Sequence, residues 1–395
     1  MGTDSVLTGI RVLDFGWVLA APYATRLLAD YGAEVIKVQP LYGVESEDAF
    51  SRGYFNTWNR NKLGITLNMA CAEGRDLALK LTALSDVVVE NFSPRVMENW
   101  GLGYEQLREV KPDIILLSMS VMGRSGPWRD RSGFGPTVHA ASGLTHLTGF
   151  PGRAPSGPGF SYADHVAGLF GAMAVLEALE HRRLTGLGKH IDLSELEATV
   201  SLLDTAVLDY TVNGREAAPS GNRSLHRPAA PHGVYPCRGE DRWCAIAVFT
   251  DEEWLALRRV MGEPPWAGTD RFATLDSRLR NIDELDRLMG EWTGQHSAEE
   301  VMTLLQEAGV AAGVVQDASD LARDPQLQSR GFFITLDQPG AGLATMDGAP
   351  MKLSESPAAF RRAAPLPGQD NDYIFGQLLG LGEEERERMR KEGVI

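Results

Sequence analysis

The chain has 395 residues, 43% hydrophobic and 23% charged, with a formal net charge of −15 at pH 7. A chain of this length and composition is an ordinary globular protein with two domains, or one large and one small. The acidic balance excludes nucleic acid and anionic membrane as general partners, but local basic groups still leave room for a phosphorylated small ligand.

From the N-terminus, "MGTDSVLTGIRVLDFG" lacks the basic and apolar regions of a secretory signal, and Val6 breaks the myristoylation pattern. "IRVLDFG" (10–16) reads as a strand, "APYATRLLADYG" as a helix ending at Gly32, and "AEVIKVQ" (33–39) as a second strand, together a βαβ unit. "KLGITLNM" continues as a strand, "EGRDLALKLTALS" as an amphipathic helix and "DVVVENF" (86–92) as a buried strand. Helical "YEQLREVKP" then leads into the strand "DIILLSMS" (113–120). Strands alternating with helices in this way predict an α/β fold on a parallel, doubly wound, Rossmann-like sheet. The first strand–helix turn, "GWVLAAP", holds one glycine, and the second strand ends in Gln39 rather than an acid. Nicotinamide and flavin binding are therefore not expected, and no P-loop is present.

Residues 121–163 are rich in Gly, Ser and Pro, yet interspersed Phe134, Val138, Leu144, Phe150 and Phe160 predict an ordered segment that contributes to a site. A strong helix follows at about 165–183, then "GKHIDLSELEATVSLLDTAVLDYTV" as a short strand and a long helix. The polar stretch "NGREAAPSGNRSLHRPAAPHG" (213–233) marks a domain boundary. Beyond it, "WCAIAV", "DEEWLALRRVM", "NIDELDRLMGEWTGQ", "SAEEVMTLLQEAG" and "AAGVVQ" predict a small α/β domain over 225–330. The remainder, 331–395, reads as two or three antiparallel strands in "FFITL…GLATM…PMKL" and terminal helices with a solvated charged face.

The candidate chemistry centres on "GFSYADHVAG" (159–168). Asp164 reads as the N-cap of the helix that follows, or as a reactive carboxylate. The roles are compatible, because helix-terminal N–H groups and the helix dipole hold a carboxylate ionised, and such a group can attack an activated carbonyl. Ala163, Ala167 and Gly168 are expected to leave room for a bulky substrate. His165 lacks the nucleophile elbow of a Ser-His-Asp triad, and the other histidines show no metal-binding spacing, so no metal is expected. Cys71, Cys237 and Cys244 are too few and scattered for disulfides, and a cytoplasmic location follows. Asn91 and Phe92 stand where the third βα strand ends, the edge at which open parallel sheets bind ligands.

Taken in order, "LTGIRVLDFGWVLAAPYATRLLADYGAEVIKVQ", "NRNK", "DVVVENFSPRVMENWGLGYEQL", "GFSYADHVAGLFGAMAVLEAL", "GKHIDLSELEA" and "APLPGQDNDYIFGQLLGL" resemble the class III coenzyme A transferase (CaiB/BaiF) family across nearly the whole chain. The resemblance implies a large Rossmann-like CoA-binding domain, 1–213 completed by 331–395, with the small domain at 225–330 between them. It further implies an interlocked homodimer, with acyl-CoA and a carboxylic acid as substrates and no tightly bound cofactor. Asp164 would carry the acyl group and then CoA, through an aspartyl anhydride and an aspartyl-CoA thioester. By position, Val18 and Leu19 would lie beside the thioester, Asn91, Phe92 and Val96 would line the CoA channel, and Lys62 would lie near its nucleotide. Leu19 stands where formyl-CoA transferases have glutamine, and their arginine and glycine-rich loop have no match at Asn99 and "NRSLHRPAAPHG", which implies an acceptor less polar than oxalate. The rival branch is a 2-methylacyl-CoA racemase working by α-proton exchange. Its histidine would fall at Phe134 or Gly135, with His139 offset by about one helical turn, and its supporting glutamate near Asp251. A non-catalytic acyl-CoA-binding protein is the third reading, and Trp17, Leu19 and Phe134 are expected to form an apolar acyl pocket.

Overall fold

The computed structural model describes residues 5–41, 49–224 and 227–395. The Met-Gly start and residues 225–226, where the small domain was expected to begin, lie outside these. Two compact units emerge: one takes residues up to Thr145, Gly157–Glu216 and Gln326–Ile395, the other His146–Ser156 and Ala217–Pro325.

The larger unit is built on six strands, β1 (Arg11–Asp14), β2 (Glu34–Gln39), β3 (Lys62–Thr66), β4 (Val87–Glu90), β5 (Ile115–Ser120) and β6 (Lys189–Ser194). Their order is β3-β2-β1-β4-β5-β6, with every neighbouring pair parallel. Adjacent side chains on a strand point to opposite faces, yet Val12 and Leu13 are both fully buried. Val12 packs with one core cluster and Leu13 with the other, so both faces of the sheet are covered. That double burial is why the strands read as unbroken apolar runs. The helices up to this crossover are α1 (Ala20–Asp30), α2 (Ala49–Asn59), α3 (Ala72–Ala83), α4 (Val96–Asn99), α5 (Tyr104–Val110), α6 (Gly135–Ala141), α7 (Leu144–Leu147) and α8 (Tyr162–Thr185); α9 (Glu195–Val200) and α10 (Asp204–Asn213) follow β6.

Three features depart from the sequence expectations. The 121–163 stretch is not wholly irregular, since α6 and α7 lie in it, and α2 fills a segment that had no assignment. Helix α8 begins at Tyr162 rather than near 165, so Asp164 lies inside its first turn. The C-terminal hairpin, by contrast, falls within the expected two or three antiparallel strands: it has two, β10 (Phe333–Gln338) and β11 (Gly342–Asp347), numbered after the small unit's three, and "PMKL" forms none.

The smaller unit carries an antiparallel sheet of β7 (His232–Pro236), β8 (Trp243–Ala247) and β9 (Ala311–Val314). Its own core includes Trp254, Leu257, Leu285, Met289, Val301 and Leu305. Among the described residues no helix is long and apolar enough to cross a membrane.

Candidate active site

The order of the large sheet reverses between β1 and β4, and in such sheets the crevice beyond the carboxyl ends at that point is where ligands bind. The loop after β1 is held there by buried charge. Asp14, the last residue of β1, accepts hydrogen bonds from Gly16 N at 2.7 Å, Thr25 Oγ1 at 2.7 Å and Lys62 Nζ at 2.9 Å. Lys37, its register partner on β2, approaches it at 3.4 Å and also donates to the Gly16 carbonyl. Burial pushes the Asp14 carboxyl up, but Lys37 and Lys62 together with the hydrogen bonds outweigh it and hold the group below the usual range. From the β4 side, Asn91 grips the same loop. Its Oδ1 accepts from Trp17 N at 2.9 Å, and its Nδ2 donates to the Trp17 carbonyl at 3.0 Å. The next residue, Val18, is thereby kept at φ 60°, a left-handed conformation that is a true outlier for a β-branched side chain.

Beyond this loop opens a cavity of about 310 Å³, walled by Trp17, Val18, Phe92, Val96 and Phe134 and reached by Asn91, Asp164 and Glu195. A second cavity of about 800 Å³ shares Trp17, Val18 and Phe92 and extends past Gln39. Trp17 and Phe134 are 53% and 61% exposed and pack ring to ring at 6.4 Å, giving the smaller cavity an apolar wall. Arg129 and Arg131 also line this cavity and supply positive charge despite the acidic chain.

Asp164 is 8% exposed, and its Oδ2 is buried without a hydrogen-bond partner. It is not the N-cap. That position falls to Ser161, which makes no side-chain cap bond, and the Ala163 N–H is instead satisfied by His139 Nε2 at 3.0 Å. His139 is therefore a buried acceptor, and burial lowers its pKa. Burial likewise raises the Asp164 carboxyl, only partly offset by its own backbone N–H and by His165. Desolvation thus outweighs the helix end, and the ionised form is less solvated than a surface carboxylate. A Cβ on Gly135 would stand 2.4 Å from Asp164 Oδ2, so only glycine leaves the carboxylate in place. Gly168 serves packing rather than substrate room, since a Cβ there would meet Tyr23 at 2.7 Å, and Ala163 and Ala167 are fully buried.

Glu195, the first residue of α9, is 4% exposed and lines the same cavity. Burial and then the Asp164 charge push its carboxyl up to about 8. This residue escaped the sequence reading because Ser194 and the acidic "ELE" look like an ordinary capped helix start. The cap bond runs from Glu197 N to Ser194 Oγ, which leaves the Glu195 side chain unused. Its place at the carboxyl end of β6 was the available signal.

Of the other expected contacts, Val18, Asn91, Phe92 and Val96 line the cavity, whereas Leu19 is 1% exposed and lines neither cavity. Lys62 is fully buried, with its ammonium donating to Asp14, the Pro22 carbonyl and Asn59, each at 2.9 Å. Such a group holds the loop and has no donor left for a ligand. His165 Nδ1 lies 2.7 Å from the Ser161 carbonyl, among Tyr23, Trp58 and Phe160. Asp251, in the smaller unit, pairs with the buried Arg278 at 2.9 Å.

The chain matches the family model of CoA-transferase family III over residues 7–371. It is 34% identical to succinyl-CoA–D-citramalate CoA-transferase of Chloroflexus aurantiacus, an alignment that takes in 98% of each chain. Identity is also 34% to the alpha subunit of succinyl-CoA–L-malate CoA-transferase of Chloroflexus aurantiacus, over 98% of this chain and 92% of the relative. The crystal structure of a CAIB/BAIF family protein from Brucella suis superposes with a TM-score of 0.88 at 30% identity, covering 95% of this chain and all of that one. With a six-stranded parallel sheet and full-length matches of this kind, the chain belongs to CoA-transferase family III.

Proposed function

We propose that the protein moves CoA from an acyl-CoA donor to a carboxylic acid acceptor with Asp164 as the acyl carrier. The observation that carries this reading is the buried, unpartnered Asp164 Oδ2 in a cavity at the sheet's switch point. An Asp164 carboxylate oxygen attacks the thioester carbonyl carbon, the C–S bond breaks with its electron pair on sulfur, and an aspartyl anhydride and CoA thiolate result. The thiolate then attacks the aspartyl carbonyl, releasing the first acid and leaving CoA on Asp164. The acceptor carboxylate displaces that thiolate to form a second anhydride, and the thiolate opens it at the acceptor's carbonyl to give the new acyl-CoA. Every intermediate is an activated acyl group, so no external energy source enters.

The relatives use succinyl-CoA with citramalate or malate. We extend this to a dicarboxylate acceptor here, with Arg129 and Arg131 supporting the choice as cationic groups in the cavity wall. Val18, Asn91, Phe92 and Val96 would contact the thioester end of CoA, and the larger adjoining cavity has room for the rest. A homodimer is part of the same reading. Leu169, Met173 and Leu176 on α8, with Leu208 and Val212 on α10, are 45–69% exposed apolar side chains of the kind a partner copy covers.

The test is incubation with succinyl-CoA and hydroxylamine, followed by peptide mass mapping. Wild type should yield a hydroxamate at Asp164, while Asp164→Ala yields none and transfers no CoA to malate or citramalate. Full transfer by Asp164→Ala would sink the assignment. Solvent deuterium entering the α-carbon of a 2-methylacyl-CoA without acyl exchange would mean a racemase, and CoA binding with neither reaction a binding protein.

A further inference from the structure

A cavity that must admit a carboxylate already holds two carboxyl groups of its own. In the proposed cycle, on which this inference rests, Asp164 is uncharged when the acceptor arrives because it is esterified to CoA. Glu195 is then the remaining carboxyl of the cavity, and its state decides whether the incoming anion meets a like charge or a donor. Its surroundings favour the donor. Glu195 is 4% exposed, and no hydrogen bond or ion pair reaches its carboxyl among the described residues. Ser120 Oγ, another group of the same cavity, is also buried without a partner. Native structures rarely leave buried polar groups unsatisfied, and Ser120 Oγ together with Asp164 Oδ2 marks a place that is completed by substrate.

We propose that Glu195, in its acid form, donates a hydrogen bond to the carboxylate of the acceptor acid and so positions it for attack on the CoA thioester of Asp164. The acid keeps its proton; no bond to hydrogen breaks in the step. Burial is the larger cause of the raised Glu195 carboxyl and persists when Asp164 is a thioester, whereas the Asp164 charge adds to it only in the free protein. The elements packed on α9 at this end are α6, α8 and β6. They bring His139, Asp164, His165, Lys189, His190 and Asp192, of which Asp164 is the one whose charge acts on Glu195. Arg129 and Arg131 line the same cavity and suit the far carboxylate of a dicarboxylic acceptor.

The two half-reactions separate this inference from the reading beneath it. Donor-side chemistry is followed as hydroxylamine-trapped Asp164 with succinyl-CoA alone, and acceptor-side chemistry as the KM for malate. Glu195→Gln keeps a neutral donor of the same shape and should hold the malate KM within about threefold of wild type. Glu195→Ala should raise it by roughly 10- to 100-fold, the loss expected when a charged partner is left without its hydrogen bond. Trapping from the donor should change less than about threefold in both, because hydroxylamine intercepts the first anhydride before any free carboxylate occupies the site. In wild type the malate KM should climb at alkaline pH as Glu195 ionises, and Glu195→Gln should remove that climb. Equal KM values for wild type and both variants would overturn the proposal, as would a Glu195→Gln enzyme that behaves like Glu195→Ala. Absence of any hydroxamate at Asp164 in wild type would instead overturn the carrier role of Asp164.

Discussion

The Asp14–Lys37–Lys62 cluster and the Asp164–Glu195 pair both bury charge at the carboxyl edge of one sheet, and their partners differ completely. In the first, all three donors of Lys62 are used and Asp14 accepts from lysine, hydroxyl and backbone. In the second, an oxygen of Asp164 has no partner and Glu195 is held up to about 8 by burial and by Asp164. A buried charge is tolerated when its hydrogen bonds are complete, whereas an incomplete one destabilises the fold and persists where substrate completes it. The first set therefore shapes the loop that carries Val18, and the second faces the reaction.

The largest expected effect breaks the paired set. Asp14→Asn leaves Lys37 and Lys62 buried without their counter-charge, and losing one member of a buried pair costs about 3–5 kcal/mol. Urea unfolding should show a lower midpoint with little change in slope. Asp164→Asn, by contrast, removes a desolvated charge with one oxygen unpartnered, so its stability should fall by less than about 1 kcal/mol or rise. Similar losses for both would erase the distinction between the two sets.

A smaller change sharpens the pocket side. Gly135→Ala places a Cβ 2.4 Å from Asp164 Oδ2, far inside contact distance, so the carboxylate or α6 must shift. Displacement of a reacting group by about 1 Å commonly lowers the rate on the order of 100-fold. The expected readout is a fall in kcat of that size, with CoA binding by calorimetry changed less than about threefold because the groups proposed to hold CoA are untouched. A wild-type rate in Gly135→Ala would mean that Asp164 does not work from the observed position.

The strands were legible because both faces of the sheet are buried, which leaves unmistakable apolar runs such as "DVVVE". Helix starts were less so. Asp164 reads as a cap from its neighbours alone, but the group that satisfies the first turn of α8 is His139, 24 residues upstream. Local sequence does not display a contact made across that distance. Val18 and Leu19 are adjacent in sequence yet part company, 40% against 1% exposed, because Asn91 fixes the backbone between β1 and α1. The family resemblance placed Lys62 near the nucleotide of CoA, and only the fold shows its donors already taken. Glu195 was hidden by the Ser194–Glu197 cap, which supplies a sufficient local reason for acidic residues at that place.

The mildest prediction tests whether Glu195 is a liability for the fold. Its pKa stands at about 8 in the native state against an ordinary 4.5. Between those values the native protein keeps the proton while the unfolded chain has lost it, so the native state binds more protons. Stability then falls as pH rises through that window and levels off above it, with a limiting slope of about 1.4 kcal/mol per pH unit from this one group. Asp164 adds in the same direction, because its carboxyl is also raised by burial. Glu195→Gln cannot ionise, so its unfolding free energy should decline less between pH 5 and 8 than that of wild type, by roughly half a kcal/mol or more per unit. Parallel curves for the two proteins would show Glu195 to be as well solvated as a surface glutamate. The contrast with the Asp14 cluster would then rest on Asp164 alone, since a carboxyl that ionises freely in the cavity would repel the acceptor instead of holding it.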